Sequence, residues 1–211
     1  MGGNGSVPWG IVVLLTLLTL LPAILLCMTP FVRLLLVFHF LRQALGTQTT
    51  PTNQTLVGLA LVLTWFLMQP TLVTVQQAAI SPFQDGRITA MEAVERGSIP
   101  LRDYMLRYAR QKDLALFVEI AKIGRPHRPE DLPIRVVMPA YILSELKVGF
   151  QIGAVLFLPF LVIDIVVAAL TTSVGMLQLP PMVISTPLKI LLFVLVDGWN
   201  LLVGSLVKSF A

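Results

Sequence analysis

Charge is scarce in this 211-residue chain, where Lys, Arg, Asp and Glu make up 12% of the residues, about half the ~25% usual in soluble domains. With 56% hydrophobic residues and a mean hydropathy of +0.85, the composition excludes an ordinary soluble protein. Cysteine is nearly absent as well. The single Cys27 lies in an uncharged apolar run, so no disulfide forms within the chain and no cysteine cluster holds a metal. The two histidines, His39 and His127, have no ligand set beside them. HExxH, GxSxG and Walker A patterns are missing, and with them the commonest hydrolytic and nucleotide-binding chemistries. No enzymatic activity, metal or cofactor is expected.

The charges present are badly distributed. Residues 85–135 hold ten of the 15 Lys/Arg and eight of the 11 Asp/Glu, so one hydrophilic island sits between two apolar blocks. A net charge of +4 and a pI of about 9.6 are mildly basic, but the island mixes both signs too evenly for a nucleic-acid footprint. No nucleic-acid partner is expected.

No charge precedes Arg33, and Trp9–Val32 is long enough to cross a ~30 Å hydrocarbon layer as a helix. Its polar start lacks the positive n-region of a signal peptide, and the apolar run is longer than an h-region. Pro22 and Pro30 bias this first span to kink or break. Phe31–Leu45 continues it as a helix carrying Arg33, His39 and Arg42, with Gly46 as its C-cap and a polar loop through Pro51. A second span runs from Leu56 to about Val75, with Gln69-Pro70 as an interruption that needs a protein or water partner.

Within the island, Thr89 and Glu92 fit a capping box and Gly97 closes a short helix. A second helix follows from Ser98 and Pro100, with Leu101, Tyr104, Met105 and Tyr108 on one face. Leu114, Phe117, Val118 and Ala121 repeat that spacing, so the island is an amphipathic helical unit and not a linker. The predicted architecture is all-α. Residues 1–83 form N-terminal apolar helices with two spans, 84–133 the helical island, and 134–211 an apolar hairpin built from stretches near 148–170 and 183–207. The hairpin's link, residues 173–181, is uncharged. No internal repeat is apparent.

Counting Lys/Arg on four spans places the island's ten and the last lysine on one side, and Arg33 and Arg42 on the other, which by itself puts the island in the cytoplasm. After Arg135 the charges are Glu145, Lys147, Asp164, Lys189, Asp197 and Lys208. A buried charge without a partner is costly, so Glu145, Asp164, Lys189 and Asp197 are expected to pair between helices or between subunits, while Lys208 snorkels at a helix end. Asp164 and Asp197 are the only pair open to an intramembrane aspartyl enzyme, and their sequence contexts do not match that class. They also allow an alternative reading, an ion- or proton-conducting membrane subunit; a plain membrane scaffold is a third. Gly149 and Gly153 form a small-xxx-small pattern that lets helices approach closely.

The blocks PAILLCMTPFVRLLLVFHFLRQALGTQTTPTNQ, PLRDYMLRYARQKDLALF, MPAYILSELKVGFQIGAVLFLPFLVIDIVVAAL and STPLKILLFVLVDGWNLLVGSLVKSF go beyond composition. From about residue 20 the chain resembles the FliP family of flagellar type III export-gate subunits, which is related to the SctR-type proteins of injectisomes. That resemblance implies a helical export gate in the bacterial inner membrane, at the flagellar basal body, with five copies joined by FliQ-like and FliR-like subunits. FlhA-like and FlhB-like proteins, unfolded export substrates and membrane lipid are the further partners it implies. It also places the island in the periplasm, against the charge count, because helices assembled above the bilayer escape a rule about lipid-flanking loops. Met176, Leu177 and Gln178 align with the family's methionine-rich pore gasket; only the first is methionine, and the Gln178 amide could hold water in a seal meant to be dry. Glu145 and Lys189 match charged family positions and are expected to pair with each other within or between subunits.

Overall fold

The computed structural model describes residues 9–124, 128–175 and 180–210. Among them there is no strand. Helix α1, Trp9–Cys27, ends at a turn over Met28–Pro30, and α2, Phe31–Ala44, starts after it. The first apolar block is thus two helices bent against each other at the turn that holds Pro30, the break expected there, while Pro22 lies inside α1 without ending it. Just beyond α2, Gly46 takes the left-handed conformation (φ +76°) that closes a helix end at low cost.

Thr52 caps the next helix, its hydroxyl accepting from the Thr55 amide at 3.3 Å. Helix α3, Asn53–Val75, passes through Pro70 without stopping, becomes a π-helical turn over Gln76–Ile80, and runs on as α4, Ser81–Gln84. The expected interruption at Gln69-Pro70 is thus absent. A proline removes one donor from a long helix, and the remaining ladder carries the chain past it. The irregularity falls instead at the π turn, whose extra residue reshapes the face presented to the island.

The island's first helix has the expected start. Thr89 accepts from the Glu92 amide at 3.3 Å while the Glu92 carboxylate accepts from the Thr89 amide at 2.8 Å. The expected stop at Gly97 does not occur, because α5 runs unbroken from Ala90 to Tyr108 through Gly97, Ser98 and Pro100. Gly97 serves close approach: a Cβ there would lie 3.3 Å from the Cβ of Ala79 in the π turn. Ala109 is extended, and α6 follows at Gln111–Ile120. The capping hydrogen bonds from Thr89 hold the Glu92 carboxyl below its ordinary value. The depressed folded-state value means that this stabilisation is present above the unfolded carboxyl's range and lost as pH falls through the folded one. Glu92→Ala should therefore speed amide exchange in the first turn of α5 near neutral pH and change it little in strong acid, where the parent carboxyl is protonated; equal exchange in both chains at neutral pH would refute the role of the carboxylate in the cap.

Helix α7 spans Ile134–Ser173, 40 residues and so ~60 Å. Its first half packs against α2, α5 and α6, and its second half against α8, Met182–Leu195. A break at Val196-Asp197 bends α9, Gly198–Lys208, by 66° from α8. Two apolar cores result. One joins α2, α3, α7 and the C-terminal residues around Phe38, Leu41, Phe160 and Leu206; the other joins α5 and α7 around Tyr104, Met105, Val137 and Tyr141. The accessible surface is 13987 Å², against about 9,700 Å² for a compact monomer of this mass. Much of the excess is apolar: Leu158, Ile165, Leu170, Val183 and Val194 are each more than half exposed.

Candidate functional site

The deepest polar group in the fold is an ion pair. Because α2 begins after Pro30, Arg33 falls in its first turn and points at α7, where Glu145 is fully buried. The contact is two-pronged: Nε donates to Oε2 at 2.9 Å and Nη2 to Oε1. Arg33 Nη1 also donates to Ser209 Oγ at 3.0 Å, and the guanidinium lies 3.9 Å above the Phe210 ring. From the island, the Tyr108 hydroxyl donates to the Phe210 carbonyl at 2.7 Å. One arginine thus ties α2, α7 and the C-terminal turn together, and Tyr108 adds α5. A buried pair tolerates its desolvation only when the geometry is good and the remaining donors are used, and here the fork, the hydroxyl and the aromatic face meet that condition.

One residue before Glu145, Ser144 performs the same task for α6. Its Oγ accepts from the Arg110 amide at 2.9 Å and contacts Asp113 Oδ2 at 2.5 Å, while Arg110 Nε and Nη2 donate to the Asp113 carboxylate at 2.8 Å. Beside these groups the Tyr104 ring stands 6.1 Å from that of Tyr141. Burial pushes the Tyr104 hydroxyl well above its ordinary value, and the Glu145 charge adds to the shift, so it stays protonated.

A second ion pair crosses the α7–α8 hairpin. Lys189 Nζ donates to Asp164 Oδ2 at 2.5 Å; the lysine side chain is 4% exposed and the aspartate 37%. The expected Glu145–Lys189 pair is therefore not what forms within the chain. Each of these residues has a different partner, Arg33 and Asp164, because helical packing brings α2 to the first half of α7 and α8 to the second. Asp197 joins neither pair. It is exposed at the α8–α9 break and accepts from Asn200 Nδ2 at 3.1 Å.

Gly149 and Gly153 lie where α2 crosses α7. A Cβ on Gly149 would sit 2.7 Å from Leu36 Cδ2, and one on Gly153 would overlap the Phe40 ring. That ring is held edge-on by Phe150 at 5.2 Å and Phe157 at 6.2 Å. Met176, Leu177 and Gln178 lie outside the described residues. His39 Nδ1 is bonded to its own helix through the Leu35 carbonyl at 2.8 Å.

Sequence reasoning missed Arg33, Tyr108, Ser209 and Phe210. A signal for Arg33 existed: it is the first charge in the chain, set in an apolar helix, and only Glu145, Asp164 and Asp197 lie outside the island as acids. A lone apolar-helix cation needs a counter-ion, so the sign inventory alone narrows its partner to three. Nothing local marks Ser209 or Phe210.

The FliP family model matches residues 14–206. "Flagellar biosynthetic protein FliP" of Pectobacterium carotovorum subsp. carotovorum is 51% identical, over 98% of this chain and 82% of its own length. The protein of that name from Cereibacter sphaeroides is 50% identical, over 95% and 66%, and that from Bacillus subtilis (strain 168) 48%, over 95% and 90%. With a family match that reaches from α1 to α9 and relatives at half identity, the chain belongs to the FliP family.

Proposed function

We propose that the chain is a subunit of the flagellar protein export gate, acting without catalysis by gated passage of unfolded flagellar proteins. Its relatives' name, flagellar biosynthetic protein, supports a role in building the flagellum. The observation that carries the reading is α7. At ~60 Å it is twice the ~30 Å hydrocarbon layer, yet exposed apolar residues follow one another along it from Leu143 through Phe150, Leu158 and Ile165 to Leu170. A helix of that length and character cannot be satisfied by lipid alone, so protein neighbours must cover part of it.

The neighbours that fit are further copies of the chain, about five in all, with FliQ-like and FliR-like subunits and, at the edge, FlhA-like and FlhB-like proteins. The complex sits in the inner membrane at the flagellar base, with α5 and α6 on the periplasmic side. The α7–α8 tip, Met176, Leu177 and Gln178, forms an apolar collar that neighbouring copies complete. The competing proton path would need Asp164 and Asp197 to work together. Asp164 is instead bonded to Lys189 and Asp197 to Asn200, which favours structural roles.

A strain lacking its own copy of the subunit should regain motility and secretion of hook and filament proteins when supplied with this chain, with growth unchanged; normal secretion without any copy would overturn the reading. For the collar, Met176→Ala combined with Leu177→Ala should raise the ion conductance of the assembled complex in planar bilayers. Unchanged conductance in an assembled open complex would remove the collar from the mechanism.

A further inference from the structure

Asp197 occupies the N-cap position of α9, where an aspartate ordinarily accepts a bond from the first-turn amides. It does not do so here. Its backbone is left-handed (φ 52°, ψ 50°) and its side chain makes no capping bond. A left-handed residue that carries a Cβ is uncommon and persists only where the surroundings hold it. The carboxylate is left exposed between exposed Val196 and Leu201, with the neutral Asn200 amide as its hydrogen-bond donor. Among the described residues no Lys or Arg reaches it. Carried into lipid or into a subunit contact, such a carboxylate is strongly unfavourable without a cation.

Elsewhere on the chain one cation is in the matching condition. Outside the island, Arg33 is held by Glu145, Lys189 by Asp164, and Arg42 by Asn53 Oδ1 at 2.6 Å. Lys208 ends α9, where a cation suits the helix's last carbonyls. Lys147 has no such explanation: it is exposed in the middle of α7, between exposed Leu146 and Phe150, with no acid within ion-pair distance among the described residues. One surplus anion and one surplus cation therefore lie on apolar faces of the same chain, and they do not meet within it.

We propose that Asp197 of one copy pairs with Lys147 of the next copy in the assembled gate. The inference rests on the self-assembly proposed above. In a head-to-tail series of copies the contact repeats from copy to copy. The copies at either end of an open series then leave one Asp197 and one Lys147 available to other subunits.

Two differently tagged chains test this, both Cys27→Ser, one carrying Lys147→Cys and the other Asp197→Cys, co-expressed with the partner subunits and oxidised in the membrane. A cross-linked product bearing both tags is expected, and no cross-linked dimer of the chain when either is expressed alone. Full-sized complexes without that product overturn the proposal and leave the export function standing; failure of the unsubstituted chain to self-assemble would instead overturn the function. Should the cysteine chains fail to assemble, a charge exchange decides. Asp197→Lys should lower the yield of assembled gate on the order of tenfold or more, and adding Lys147→Asp should restore it. An unrestored yield overturns the pair, as does an Asp197→Lys chain that assembles normally, the outcome expected if the carboxylate meets a lipid amine headgroup.

Discussion

Arg33→Met should destabilise the folded chain by about 3–5 kcal/mol, since it leaves the buried Glu145 carboxylate without its cation. Glu145 is fully buried and Arg33 3% exposed, so solvent cannot replace the missing partner. Glu145→Leu should cost a similar amount by stranding the guanidinium, which would keep only Ser209 and the face of Phe210. The informative variant is the double one. Replacing both charges by apolar groups of similar volume removes the desolvation penalty with the attraction, and such exchanges are often neutral or stabilising. Unfolding in mild detergent, followed by circular dichroism, should therefore rank the double variant near the parent and both single variants well below it. Singles within about 1 kcal/mol of the parent would show that the pair is not the central tie of the fold.

The second large effect belongs to the α2–α7 crossing. Gly153→Ala should cost about 1–3 kcal/mol, the usual range for overpacking, because the new methyl overlaps the Phe40 ring and that ring is already confined by Phe150 and Phe157. Gly149→Ala should cost less, as the Leu36 methyl it meets at 2.7 Å is the far end of a flexible side chain. If the clash is the cause, Phe40→Leu should recover part of the Gly153→Ala loss. A thermal-unfolding double-mutant cycle should then show coupling of about 0.5–3 kcal/mol. Additive losses would mean that the glycine acts through backbone conformation and not through the approach of α2.

Both effects depend on contacts between residues far apart in sequence, which marks the limit of what could be read beforehand. The capping box at Thr89 and Glu92 was legible because it is closed within one helical turn. The end of α2 at Gly46 was legible for the same reason. Gly97 was misread as a helix end because its real role depends on Ala79, which a π turn in another helix carries to it. Pro70 was misread as an interruption, since a long helix tolerates one missing donor.

The charges show the division most clearly. That Glu145, Asp164 and Lys189 require partners followed from the sequence, since an ionised group in an apolar helix is unfavourable unless it is paired. Which partner each takes did not. Glu145 and Arg33 are separated by 112 positions, and Lys189 and Asp164 by 25, so both choices depend on which helices stack beside α7 and at what height. By itself the sequence determined the all-helical, apolar character of the chain, its island, its local caps and the need for counter-charges, because each of these depends on composition or on residues within a turn or two. Only the tertiary structure decided the pairing of Glu145 with Arg33, of Lys189 with Asp164, and the outward presentation of Asp197, because packing sets which distant groups come within ~3 Å of one another.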